Sequence, residues 1–262
     1  MIIYLAGGVQ SLTSDMKLFL AESGGLWEAY FDEKDFSHVY ILQSYYYADD
    51  FTEKYIIPNA SDFMLDSGAF TFMQDAKTRV NWDKYIEKYA EFINRNRIKK
   101  YFELDIDSVV GYNKVKELRA RLEDLTGRAS IPVWHKSRGL NEYFELCDKY
   151  SYIAIGGIVS KEIVLKDYKY FPFFISEAHK RGAKVHGLGF TRLDKLSKYH
   201  FDSVDSTAWT TGNRFGYIYK FNGKTVKKID SPEGFRLKDS RQAALNNFVE
   251  WVKYQKYAER CL

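Results

Sequence analysis

Acidic residues, histidines and paired glycines fall where short apolar runs stop. Asp66-Ser67-Gly68 follows FML, Asp105 and Asp107 close KYFELDID, and His135 follows IPVW. Gly156-Gly157 follows YIAI, His186-Gly187-Leu188-Gly189 follows AKV, and Asp205-Ser206 closes FDSVDS. Residues two apart in an extended run share a face. Glu103, Asp105 and Asp107 are therefore expected to point one way, as are Ser203 and Asp205. Carboxylates crowded at one mouth repel each other and lose hydration, which raises the pKa of at least one. A fold-only explanation needs a cation for each, and the strand ends offer only His135 and His186. The paired glycines leave backbone open to a flat ligand. Such a set suits glycosidic chemistry: one carboxylate attacks an anomeric carbon and another moves a proton at the leaving group. The bland alternative for Asp66 is a helix N-cap.

The elements that would carry these residues alternate. Strand-like runs occur at 2–7, 38–44, 62–67, 100–107, 131–136, 152–157, 183–189 and 201–206. Amphipathic stretches at 82–96, 113–125 and 192–199 repeat apolar residues three and four apart, as one buried helical face requires. Gly127 stands where a helix stop belongs. Alternating β and α segments predict a parallel sheet. Eight such strands within 262 residues predict a (β/α)8 TIM barrel, with an open doubly wound sheet as the rival. The spacing then predicts a hairpin turning at Asn222-Gly223 and a closing helix with Ser240 as N-cap. The chain reads as a single domain over 1–262, with the barrel at about 1–210 and a basic hairpin-and-helix extension at about 211–262.

Cys147 and Cys261 have no CxxC partner, which argues against a structural zinc site or a disulfide framework. The sequence thus calls for no metal and no cofactor, and for a reducing, cytoplasmic setting. No apolar run is long enough for a membrane span, and MIIYLAGG predicts no signal peptide. From Arg214 onward there are 11 basic and 5 acidic residues, against 28 and 30 in the remainder. That basic end is either a seat for a polyanion or a solvated helical face. Its candidates for phosphate contact are Arg214, Lys220, Lys224, Lys227, Lys228, Arg236, Lys238 and Arg241.

From Asp62 to Trp209 the chain resembles the tRNA-guanine transglycosylase (queuine tRNA-ribosyltransferase) family. DSGAF at 66–70 is similar to D-S-G-G-[FY], with Ala69 in place of a glycine. The resemblance implies Asp66 as general acid/base, Phe70 as a ring stacked on the base, and Ser67 beside it. LDI at 104–106 is similar to the archaeal L-D-I, which implies Asp105 as reader of the base edge, with Asp107 as its understudy. PVWHK puts His135 where the family has a base-binding glutamine. GGIVSKE resembles G-G-L-A-V-G-E, implying base contacts at Gly156 and Gly157. VHGLG resembles L-M-G-V-G, which places His186 and Gly187 beneath the base. HFDSVDSTAW is similar to G-C-D-L-F-D-S-A-A-Y, putting the nucleophile on Asp205, while a second register puts it on Asp202.

The family's C-x-C-x-x-C…H zinc cluster has no counterpart here. In this the chain resembles the shortened, phage-type relatives that insert 7-deazaguanines into DNA. The resemblance implies base exchange on a polynucleotide, DNA favoured over tRNA, with a base such as preQ0 or preQ1 as the small-molecule substrate. It also implies the cytoplasm of a bacterial host if the chain is phage-encoded, and a homodimer, since family members often pair. A hydrolase that removes a base, or a catalytically inactive nucleic-acid-binding barrel, are the rival expectations.

Overall fold

The apolar runs form strands in the order the sequence predicts. A computed structural model describes residues 2–6, 39–50, 52–68, 80–190, 192–209, 215–230 and 240–262. The strands are β1 (Ile2–Ala6), β2 (Tyr40–Ser44), β3 (Asp62–Asp66), β4 (Lys100–Tyr101) and β5 (Val133–Trp134). They continue with β6 (Tyr152–Ile155), β7 (Lys184–Gly187), β8 (Ser203–Ser206), β9 (Tyr217–Phe221) and β10 (Val226–Asp230). The longer helices are α1 (Trp82–Arg95), α2 (Tyr112–Thr126), α3 (Gly139–Lys149), α4 (Phe171–Lys180) and α5 (Ser240–Cys261). The result is an α/β protein whose parallel strands alternate with helices. Among the described residues no helix is long and apolar enough to cross a membrane.

Two compact units emerge, one drawn from residues 1–42, 49–62 and 189–262, the other from 43–48 and 63–188. In the first, β1 pairs in parallel with both β2 and β8: Leu5 faces Ile41, and Tyr4 faces Asp205. The hairpin β9–β10 turns over the four residues 222–225. Asn222 holds the turn, its Oδ1 accepting from the amides of Lys224 (3.1 Å) and Thr225 (3.0 Å). Gly223 follows at φ +91°, a conformation glycine adopts without strain. Helix α5 covers the other edge of β9. Asn247 Oδ1 accepts from the Tyr219 amide at 2.7 Å and Glu250 Oε2 from the Phe221 amide at 2.6 Å. Side chains thereby satisfy an edge that would otherwise recruit another strand. The same helix buries Ala243, Phe248, Trp251, Val252 and Ala258 on one face.

In the second unit β3 pairs with β4, β5 with β6 and β6 with β7, all in parallel. A parallel bridge from Phe102 to Ile131 joins the end of β4 to the approach to β5. Helix α1 starts at an N-cap, Asn81, whose Oδ1 accepts from the Lys84 amide at 3.0 Å. It buries Ile86, Tyr89, Ala90 and Ile93, the i, i+3, i+4, i+7 stripe read from the sequence. Helix α2 ends at Gly127 in the left-handed conformation (φ +66°), as its position predicts.

Strand four departs from its expected length. The run 100–107 is strand only at Lys100–Tyr101, and Asp107 already opens a helical turn, Asp107–Val110. Alternation fails because Glu103, Leu104 and Ile106 are all fully buried. Glu103 turns inward to meet two arginines, and the pleat ends there.

Candidate functional site

The exit from β3 is a tight turn built around Asp66. Its Oδ2 accepts from the Gly68 amide at 2.9 Å, and the Ser67 carbonyl accepts from the Tyr85 hydroxyl at 2.6 Å. Gly68 sits at φ +76°, and a Cβ there would lie 2.7 Å from Tyr46 Cβ. Only glycine passes. In this turn the Ser67 Oγ, and beside it the Ser44 Oγ, are buried with no hydrogen-bond partner, as is the Oε1 of Gln43 on β2. An unsatisfied buried polar atom costs about 1–3 kcal/mol and calls for an explanation such as a ligand or water. Phe70, the expected stacking ring, lies outside the described residues.

After β4 the carboxylates meet cations that the sequence reading did not supply. Glu103, fully buried, accepts from Arg119 Nη1 at 3.1 Å, Arg138 Nη1 at 3.3 Å and the Val133 amide at 2.9 Å. Burial pushes its carboxyl above the usual range, against the pull of both arginines and that amide. Arg138 donates onward to Asp107 Oδ2 at 3.1 Å and to Asp105 Oδ1 at 3.4 Å, and lies 4.1 Å over the Tyr112 ring. It also donates to the Val133 carbonyl. One guanidinium thus ties together three acidic side chains.

His135 bridges two more. Its Nε2 lies 2.8 and 2.9 Å from the Asp105 oxygens, and its Nδ1 lies 2.8 Å from Glu162 Oε2. Burial works against the charged ring, but Asp105 and Glu162 outweigh it and raise the pKa to about 9. Glu162 Oε1 also accepts from the Ser137 amide at 2.6 Å. Burial alone would lift the Glu162 carboxyl, yet His135 and Ser137 bring it below the usual range.

The glycines after β6 make room for this pair. A Cβ on Gly156 would sit 2.7 Å from Val133 Cγ1 and 2.9 Å from His135 Nε2. On Gly157, at φ +80°, it would sit 3.0 Å from Glu162 Oε2. The close approach expected of a ligand at this pair is made here by the protein's own side chains. His186 is fully buried with its ring 5.4 Å from Phe102, and Gly187 pairs with Ile155.

Asp105, Asp107 and His135 could each bring one donor atom within 4.8 Å of the others, a spacing that suits a cation. The Arg138 guanidinium already supplies positive charge there, and both His135 nitrogens already face carboxylates. We assign this trio no metal.

In the first unit Asp205 is buried on β8, and its Oδ1 accepts from the Gly189 amide at 2.6 Å. Asp202 lies one residue before β8 begins, at the opposite end of the strand. Trp209 packs in the core with its ring 5.4 Å from Phe248. On the hairpin, Lys220 stands directly opposite Lys227, and both are exposed. Lys224 is exposed at the turn, and Lys228 pairs with Asp230 at 2.6 Å. Arg214, Arg236 and Lys238 lie outside the described residues, as does the side chain of Arg241.

Arg119, Arg138 and Glu162 escaped the sequence reading. Arg119 had left a signal, since it stands on the apolar stripe of α2 beside Leu118 and Leu122, where an unpaired charge is costly. Glu162 is the last residue of GGIVSKE, the run after β6. No protein-family model matches the chain, and none of the curated proteins matches it.

Proposed function

We propose that the chain is a (β/α)8-barrel transglycosylase. It exchanges guanine in a polynucleotide, DNA in preference to tRNA, for a 7-deazaguanine base. The ring architecture is supported by two parallel runs: β2-β1-β8, and β3-β4-β5-β6-β7 through the Phe102–Ile131 bridge. The first strand pairs with both the second and the eighth, as a closed ring requires and the open rival does not.

One observation carries the catalytic reading. Asp66 and Asp205 stand at the C-terminal ends of their strands, where barrels of this kind place their chemistry. The orphaned Ser67 Oγ next to Asp66 supports it, as a buried polar atom awaiting a ligand. In the reaction, the Asp205 carboxylate attacks C1′ and the C1′–N9 bond breaks. Guanine leaves with a proton from Asp66. The deazaguanine enters, Asp66 takes its N9 proton, and N9 displaces Asp205 from C1′. Asp105 accepts from N1–H and the exocyclic amine. Asp205 is favoured over Asp202 because Asp202 precedes its strand. Lysines 220 and 227, like charges facing across a hairpin, cost stability unless an anion lies between them, which supports a phosphate seat.

The test is nucleoside mass spectrometry of DNA and tRNA from cells that express the protein with a preQ0 supply. Deazaguanine in DNA, lost with Asp205→Ala, is expected. Incorporation into tRNA alone refutes the DNA assignment, and loss with Asp202→Ala but not Asp205→Ala refutes the nucleophile. A second reading, a catalytically silent nucleic-acid-binding barrel, is favoured by the cations that Arg138 and Arg119 supply to the acidic cluster. It predicts binding without exchange in the wild type.

A further inference from the structure

We propose that Glu162 is a positioning residue that acts through His135 to hold Asp105 as the group that reads the base. The ligand named here rests on the exchange reading, whereas the geometry does not. Three segments converge on the His135 ring. Asp105 comes from the stretch after β4, Glu162 from the loop after β6, and Arg138 from the turn after β5. Asp107 faces Arg138, and the neighbouring Lys136 turns away to Asp167 at 3.1 Å. Asp105, Glu162 and Arg138 are the charged groups that act most strongly on the ring.

A protonated imidazole has two donors and no acceptor. His135 spends one on Glu162 and the other on Asp105, so it offers a ligand nothing. It is therefore not the substitute for a base-reading glutamine that its place in the sequence implied. Asp105 is the reader. Each of its oxygens keeps acceptor capacity beyond the one proton from His135 and the contact from Arg138. The site thus takes an edge carrying two N–H groups, as in guanine and 7-deazaguanine, and turns away one carrying a carbonyl there, as in xanthine.

Glu162 governs this because it fixes the ring. Its two oxygens are anchored by the Ser137 amide and His135 Nδ1, and the bare faces of Gly156 and Gly157 let ring and carboxylate settle against the backbone. Glutamine at 162 can keep both anchors in one way only. Its oxygen accepts from Ser137 and its amide donates to Nδ1, which must then lose its proton. His135 becomes neutral yet still donates from Nε2 to Asp105.

The experiment joins ring ¹⁵N NMR of histidine-labelled protein, assigned with His135→Gln, to calorimetric binding of free 7-deazaguanine. In wild type at about pH 8, His135 carries both protons. In Glu162→Gln at the same pH it carries only the Nε2 proton, and affinity stays within about threefold of wild type. Glu162→Ala loses the anchor, and affinity falls on the order of tenfold or more. Equal affinity in Glu162→Ala and wild type overturns the positioning role alone. So does a Glu162→Gln protein whose His135 keeps both protons, which remains decisive even if the alanine variant does not fold. A wild type that binds no base while His135 titrates as described overturns the exchange reading, and with it the ligand named here.

Discussion

Replacing Arg138 with alanine tests how the acidic cluster is held. Its side chain is 3% exposed and Glu103 is 0% exposed, so water cannot take over the lost contacts at that end. Asp105 and Asp107, at 18% and 21%, keep some hydration. At separations of 3.1–3.4 Å and an effective dielectric near 20, each attraction has a gross size of about 5 kcal/mol, before the cost of dehydrating the guanidinium. Breaking a buried pair by removing one partner costs about 3–5 kcal/mol, because a charge is left behind uncompensated. Glu103 retains Arg119 and the Val133 amide, which holds the loss toward the lower figure. The Tyr112 ring contact adds about 0.5–1 kcal/mol. Equilibrium urea unfolding should therefore show Arg138→Ala destabilised by about 3–5 kcal/mol. Arg138→Lys should recover only part of this, since an ammonium cannot span three carboxylates and a carbonyl. In the double variant, Glu103→Gln should cost less than it does alone, because the stranded charge is gone. A loss below about 1 kcal/mol, or strict additivity of the two substitutions, refutes the account.

Three further outcomes follow from the same contacts. His135 has a folded-state pKa of about 9 against an ordinary 6.5, so its contribution is fully present below about pH 6.5 and lost as pH rises through 9. Unfolding free energy should drop across that window by on the order of 3 kcal/mol more in wild type than in His135→Gln, and equal slopes would contradict a charged ring. Gly68→Ala should cost on the order of 2 kcal/mol or more in thermal unfolding, from positive φ and the Tyr46 clash together; a neutral substitution would show that the turn relaxes. If the hairpin seats phosphates, Lys227→Glu should reduce the slope of log affinity against log salt by about 1, whereas an unchanged slope removes Lys227 from the interface.

The strands were legible because their apolar runs are short, separate and bounded by turn residues. All eight predicted runs contain strand or bridge residues, the hairpin turns where Asn222-Gly223 put it, and the closing helix is described from Ser240 onward, the expected cap by the Ser240 side chain lying outside the described residues. The helices were legible through their stripes, as at Ile86, Tyr89, Ala90 and Ile93. What failed was the fine structure of strand four. The alternation of Glu103, Asp105 and Asp107 has the period of a strand face, but periodicity says nothing about a cation arriving from elsewhere. Arg119 and Arg138 lie 16 and 35 residues along the chain from Glu103. Their reach into the core decides where the pleat ends. Local pattern fixes local structure, and long-range ion pairs override it where a charge must be buried.

The same override bears on what the site can accept. Four carboxylates, Glu103, Asp105, Asp107 and Glu162, meet three cations, Arg119, Arg138 and protonated His135, which leaves one negative charge. The deficit lies at the wetter end, because Glu103 alone has two arginines. A neutral ligand that donates N–H groups can draw on that excess without adding charge to a crowded region. An anionic ligand would meet repulsion, and one with only acceptors would set its lone pairs against those of Asp105. On the proposed reading, the buried arginines thus do not compete with ligand binding at this place. By neutralising the buried Glu103 they leave the partly exposed Asp105 with acceptor capacity to spend. On the proposed reading, a structural ion-pair network and a selective hydrogen-bond acceptor are two ends of one arrangement of charge.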